Sequence, residues 1–148
     1  MNNFYERGDM WDVYDRADTF CITTNSFVRR DGSLVMGAGI ARQARDRFDG
    51  LAQDFGTRIK DFCGHLGTYG VLPAPNHNLH AFQVKHHWKD SADTELIEVA
   101  AKMLDRFGEG ETHLNFPGIG NGGLDAEDVK PILETNLNNT HIWRYGSA

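Results

Sequence analysis

Between Thr112 and Val129 the chain reads THLNFPGIGNGGLDAEDV: an apolar strand-like run, His113 to Phe116, meets Pro117 and then passes through Gly118, Gly120, Gly122 and Gly123. A helical pattern follows from Asp125. Glycine lets a turn expose successive backbone N–H groups and lets a phosphate approach the main chain, and a following helix adds the positive end of its dipole. The chemistry on offer is anion binding. Gly118, Gly120 and Gly123 also spell G-x-G-x-x-G, but a dinucleotide fingerprint wants a further strand ending in an acid about 20 residues on. Only His141 to Tyr145 follows, with no carboxylate before the chain ends, so that reading is rejected. Taken alone, the stretch fits an ordinary tight turn about as well.

A second glycine turn adds to the first. In LVMGAGIARQARDRF, Gly37 and Gly39 stand directly before a helix expected over about Ala38 to Phe48, whose Ile40, Ala41, Ala44 and Phe48 share one face. Two loops that each start a helix make a better anion site than one.

The elements around these loops alternate between strand and helix. Phe4 to Val13 reads as a short first strand bent at Gly8 and Asp9, and Ala17 to Thr24 as a buried strand running into Asn25 and a polar loop. Leu51 to Phe62 is an amphipathic helix closed by Gly64, and Gly67 to Ala74 a short strand. His80 to Trp88 alternates as a strand, with Gln83, Lys85 and His87 on one side. Ser91 to Phe107 carries Leu96, Val99, Ala100, Met103, Leu104 and Phe107 on one helical face. The last helix starts near Asp125, a candidate N-cap with Leu124 and Val129 as a staple, and Pro131 predicts a loose first turn. His141 to Tyr145 closes the chain as a final strand. The pattern predicts a three-layer α/β/α sandwich around a mixed sheet of about six strands.

The chain's 148 residues suit one domain with a single substantial core. No apolar run approaches the roughly 20 residues of a membrane helix, and MNNFYERGDMWD lacks the regions of a secretory signal. Cys21 and Cys63 fit a reduced, cytoplasmic protein better than a disulfide framework. A formal charge of −6 argues against an extended surface for nucleic-acid backbones, but not against a small phosphorylated ligand held by backbone amides. The histidines raise the question of metal, with His77-x-x-His80 and His86-His87 as the nearest groupings. Adjacent strand residues point to opposite faces, and no carboxylate or cysteine completes a set, so neither metal nor cofactor is expected.

Five segments in order resemble those of macrodomains, and most nearly the DarG-type antitoxin branch. Gly8-Asp9-Met10 resembles the family's early Gly-Asp-apolar element, whose Asp accepts from the adenine amino group. Thr23-Thr24-Asn25 resembles the strand end whose Asn faces the distal ribose. Val35-Met36-Gly37-Ala38-Gly39-Ile40-Ala41 resembles the first phosphate loop, and Gly118-Ile119-Gly120-Asn121-Gly122-Gly123-Leu124-Asp125 the second. Val84-Lys85-His86-His87-Trp88 resembles the Thr-Lys-x-His-Trp segment of that branch.

The resemblance implies ADP-ribose, or an ADP-ribosyl group on a larger substrate, as the ligand. It implies Lys85 as the catalytic residue; a nucleic acid is expected only as a modified substrate, and a monomer as the acting form. A partly desolvated lysine loses basicity, and its neutral amine can attack an anomeric carbon or move a proton. Lys85 read by itself fits equally a lysine that ends a strand and points into water. Asn121 and Gly122 stand where some related enzymes carry an aspartate. That leaves two functions open, an ADP-ribosyl hydrolase and a module that only binds; a phosphatase acting on ADP-ribose 1″-phosphate is a variant of the first.

Overall fold

β2, Thr19–Thr24, is buried at every position but Thr23, as expected of a strand covered by helices on both faces. A computed structural model describes residues 3–145 and places β2 near the middle of a six-stranded sheet. The other strands are β1 Phe4–Arg7, β3 Val71–Ala74, β4 Leu79–Gln83, β5 Thr112–Asn115 and β6 Thr140–Arg144. Their spatial order is β1-β6-β5-β2-β4-β3. All neighbours run parallel except β3, which is antiparallel to β4 and carries Pro73 at the sheet edge, where a missing N–H does least harm.

Among the described residues four α-helices complete the layers: α1 Gly39–Arg47, α2 Leu51–Phe62, α3 Thr94–Phe107 and α4 Ala126–Asn136. Alternation along β2 divides the core. Phe20 and Ile22 pack with Ala44 of α1 and Phe55 and Ile59 of α2. Cys21 faces the other way, toward Ile97 and Ala100 of α3 and Val129 and Leu133 of α4. The result is the expected three-layer α/β/α sandwich with a mixed sheet. Among the described residues no helix is long and apolar enough to cross a membrane, and both cysteines are free.

Local departures from the sequence pattern have physical causes. The chain from Phe4 to Val13 is a strand only as far as Arg7; Asp9 then caps a 3-10 turn over Met10–Val13 by accepting from the Trp11 N–H at 3.0 Å. β3 starts at Val71, because Tyr69 and Gly70 give their N–H groups to the Gln83 side chain rather than to a strand. β4 ends at Gln83, so Lys85 stands in the following loop and not on the strand. Asp125 occupies the N-cap position of α4 without a side-chain cap bond. The first turn of α4 is loose, its Asp125 carbonyl shared between the N–H groups of Asp128 (3.0 Å) and Val129 (3.3 Å).

Candidate functional site: a cleft between two glycine loops

The loops that follow the parallel strands enclose two adjoining cavities. The larger, about 770 Å³, lies between residues 37–41 and residues 118–122 and is also lined by Thr23, Thr24, Asn25, Lys85 and Trp88. The smaller, about 380 Å³, is lined by Asp9, Met10, Trp11, Gln43 and Trp143 among others. Gly39, Ile40, Asn115, Ile119 and Gly120 line both, so the two form one cleft with a shared waist.

The first loop borders the cleft. Met36, Gly37, Ala38, Gly39 and Ile40 all line the larger cavity. Gly39 opens α1 with φ at 56°, a left-handed conformation that costs glycine little. The unpaired N–H groups of the first turn, carrying the positive end of the α1 dipole, therefore begin at the cleft. A Cβ on Gly39 would lie 3.7 Å from the Asn121 side-chain nitrogen, which shows how closely the two loops face each other.

Asn25 lines the cavity but is largely committed. It donates to the Val35 carbonyl at 3.0 Å and accepts from the Phe27 N–H at 2.8 Å, fixing the start of the first loop. One amide hydrogen is left for a ligand.

The second loop differs from the layout expected of it. Gly118, Ile119, Gly120, Asn121 and Gly122 line the larger cavity, and Gly120–Gly122 forms a 3-10 turn of its own. Gly123 and Leu124 line neither cavity. The Leu124 N–H closes the loop onto the Gly118 carbonyl at 2.9 Å, and its side chain joins the core under α3 and α4. α4 begins beyond that closure, and its Ala126 and Glu127 border a separate hollow with Tyr5 and Lys130. The positive end of a helix dipole thus reaches the cleft from α1 and not from α4.

Asp9 and Met10 line the smaller cavity only, and Lys85 the larger only. Met10 is at the same time a core residue, 3% exposed. The half-buried Lys85 ammonium donates to the carbonyls of Trp88 (3.2 Å) and Asp90 (3.0 Å). Burial lowers its pKa from the ordinary value, and the Asp90 carboxylate opposes that shift. The neighbouring histidines have no part in it: His86 faces the Gly67 carbonyl at 3.2 Å, and His87 packs on Phe27 and Trp88.

Residues that the sequence pattern did not single out also shape the cleft. Asn115, at the end of β5, bridges to β2 by accepting from the Thr23 N–H at 2.9 Å and donating to Thr23 Oγ1 at 2.8 Å, and it lines both cavities. Phe27 and Arg29 border the larger cavity and Trp143 the smaller. The one available signal was position, since Asn115 ends its strand directly before the glycine loop. Among the described residues, His77, His80, His86 and His87 form no group close enough to share an ion; Glu111, His113 and His141 do, with donor atoms within 4.8 Å of one another, and they belong to the β5–β6 part of the sheet rather than to the cleft lining.

The whole arrangement superposes on the macrodomain of Thermus aquaticus DarG with a TM-score of 0.74, over 99% of each chain, at 21% sequence identity. The chain has the macrodomain fold. The macrodomain of Mycobacterium tuberculosis DarG gives a TM-score of 0.68 at 22% identity, covering 96% of this chain and 97% of that one. A Thermosipho africanus DarTG in complex with ADP-ribose gives 0.70 at 21% identity, covering 97% of this chain and 42% of that one. No protein-family model matches the sequence, and comparison with curated proteins finds no match. In this chain the cleft stands at the carboxyl ends of the parallel strands, the usual ligand position in open α/β sheets.

Proposed function

We propose that this macrodomain binds an ADP-ribosyl group along the cleft and hydrolyses its bond at the distal ribose. The observation that carries the reading is the separation of two groups. A carboxylate, Asp9, lines only the smaller cavity, an amine of lowered basicity, Lys85, lines only the larger, and two glycine loops meet at the waist between them. Adenine beside Asp9, pyrophosphate against the α1 N-terminus and distal ribose beside Lys85 fit that order. The DarTG neighbour was solved with ADP-ribose, and the ligand is carried to this chain as part of the proposal.

In hydrolysis the bond from the anomeric carbon to the attached group breaks, water oxygen takes its place, and the attached group leaves with a proton. Lys85 as a neutral amine can move that proton or attack the carbon first. A nucleic-acid nucleotide is favoured as the attached group. Phe27 and Trp88 line the larger cavity and are joined by ring contacts through His87, with His65 packed on the other side of Phe27, and the hollow that adjoins the cavity at Phe27 and Arg29 adds Arg30 and Lys60 beside Asp31. Aromatic faces with interspersed cations hold single-stranded bases and phosphates. The proposal takes residues 1–148 as one domain, acting as a cytoplasmic monomer without metal or cofactor.

A module that binds without turnover is the second reading. It is favoured by the absence of a carboxylate from the residues of the second loop that line the cleft, and by the two carbonyls that hold the Lys85 ammonium. The deciding experiment is calorimetry with ADP-ribose followed by turnover assays on ADP-ribosylated DNA, ADP-ribosylated protein and ADP-ribose 1″-phosphate. Release of ADP-ribose from DNA is expected; tight binding with no turnover on all three would leave the binding module.

A further inference from the structure

His113 is fully buried on β5 and serves no part of the reaction above. Its Nε2 meets Glu111 Oε1 at 2.9 Å, and Glu111 in turn meets Arg16 at 3.4 Å. Its Nδ1 accepts from the Trp143 indole N–H at 2.9 Å. An indole nitrogen only donates, so Nδ1 of His113 is bare and the proton of the neutral ring sits on Nε2, donated to Glu111. The ring stacks on His141 with centroids 4.5 Å apart and planes 20° off parallel, and His141 Nδ1 meets Glu6 at 2.8 Å.

This tautomer argues against a metal at Glu111, His113 and His141. A ligating imidazole donates its second ring nitrogen to a carboxylate or carbonyl, whereas here the second nitrogen of His113 is itself the acceptor. Two nearly parallel stacked rings also cannot direct in-plane lone pairs at one ion. The indole that His113 holds reaches the cleft instead. Trp143 lines the smaller cavity with Asp9, and a Cβ on Gly8 would lie 3.8 Å from its Cζ3, so its six-membered ring stands beside the Gly8-Asp9 turn.

We propose that His113 is a positioning residue that holds the Trp143 indole as a wall of the smaller cavity and lets it go when protonated, so that capture of the adenine end depends on pH. This rests on the reading of the smaller cavity as the adenine site. A proton on Nδ1 would set two donors face to face, and no hydrogen bond can form between them. The charged and titratable groups facing the ring are Glu111 and Arg16 at its Nε2 edge and His141, backed by Glu6, on its face. Burial, first, and the His141 and Arg16 charges hold His113 below its ordinary pKa, and Glu111 opposes them.

The test follows the indole N–H resonance of Trp143 in isotope-labelled protein without ligand, assigned with Trp143→Phe, from about pH 7.5 to about pH 5, across the imidazole range. Loss or displacement of that resonance on acidification in wild type, absent from His113→Gln, is expected; a resonance that stays in place overturns the relay. ADP-ribose affinity should fall about fivefold or more over the same range, the lower end of coupling between distinct sites, and stay nearly flat in Trp143→Phe and His113→Gln. An equal fall in all three proteins would overturn the link to the ligand. A zinc-induced shift of the resonance that His141→Gln abolishes would make the cluster a metal site and overturn the relay as well. Failure of ADP-ribose to bind at any pH would sink the proposed function and the ligand half of this inference, while the resonance would still decide the relay.

Discussion

The Ala92 N–H donates to the Gly122 carbonyl at 2.8 Å, and this bond ties the segment carrying Lys85 to the second glycine loop. The Ala92 methyl also packs tightly against the Gly122 backbone, since a Cβ on Gly122 would lie 3.0 Å from the Ala92 Cβ. Gly122→Val therefore should lower thermal stability and ADP-ribose affinity together. Gly37 gives the cleaner probe of the cleft, because a Cβ there meets nothing within 4 Å and its φ is ordinary. Gly37→Val should keep the melting temperature and block the close approach of a phosphate. Calorimetry showing normal ADP-ribose affinity in Gly37→Val would remove the first loop from the binding site.

Asp9 has two tasks that substitution can separate. Its Oδ1 caps the 3-10 turn at Trp11, and in the proposed complex its carboxylate takes the adenine amino group. Asp9→Ala should cost about 1 kcal/mol of stability for the lost cap. It should also weaken ADP-ribose by about 1.5–3 kcal/mol, the range for a hydrogen bond to a charged group, with a smaller loss for ribose 5-phosphate. Asp9→Asn retains a capping side chain and should restore the stability. Equal weakening of both ligands by Asp9→Ala would show that this carboxylate does not read adenine.

Much of this architecture could be read from residue pattern, and the exceptions share a cause. α2 covers Leu51–Phe62 as its apolar spacing predicts, and β2 and β6 fall where β-branched and aromatic residues cluster. The first glycine loop was legible because its glycines stand directly before the helical spacing of α1. The second was misread at its far end, where the Leu124–Gly118 bond turns α4 away from the cleft; only tertiary packing specifies that direction. Asn115 and Trp143 escaped notice because each acts through a partner distant in sequence, Thr23 and His113. The strand expected to reach Trp88 stops at Gln83 because that side chain is consumed by the backbone of residues 67–70.

Acid should destabilise the fold in a window set by its buried imidazoles. Burial lowers the pKa of both His80 and His113 from 6.5, and His80 Nδ1 is buried without a hydrogen-bond partner. The unfolded chain then binds more protons than the fold, so stability rises with pH. The contribution is complete above about pH 6.5 and is lost as pH falls through that value toward the lower folded pKa values. Urea unfolding measured in steps between about pH 7.5 and about pH 5 should show the decline, and His80→Gln should make it shallower. A midpoint that does not move across that interval would contradict the burial of these rings in the neutral form.

The most exposed claim concerns Lys85. Burial favours its neutral form, while Asp90 and the carbonyls of Trp88 and Asp90 favour the ammonium. For the amine to act, the loop from Lys85 to Asp90 must give up those two hydrogen bonds as the distal ribose arrives. Lys85→Ala should lower turnover by about a hundredfold or more, the scale of a positioned acid–base group, with ADP-ribose affinity changed only a few fold, because the amine acts on the transition state more than on the bound ground state. Lys85→Arg should be nearly as inactive, since a guanidinium stays protonated and can serve neither as base nor as nucleophile. An arginine variant with substantial turnover would mean that Lys85 contributes positive charge alone, stabilising the departing group without exchanging a proton. Full activity in Lys85→Ala would keep the hydrolase and discard this residue from its mechanism.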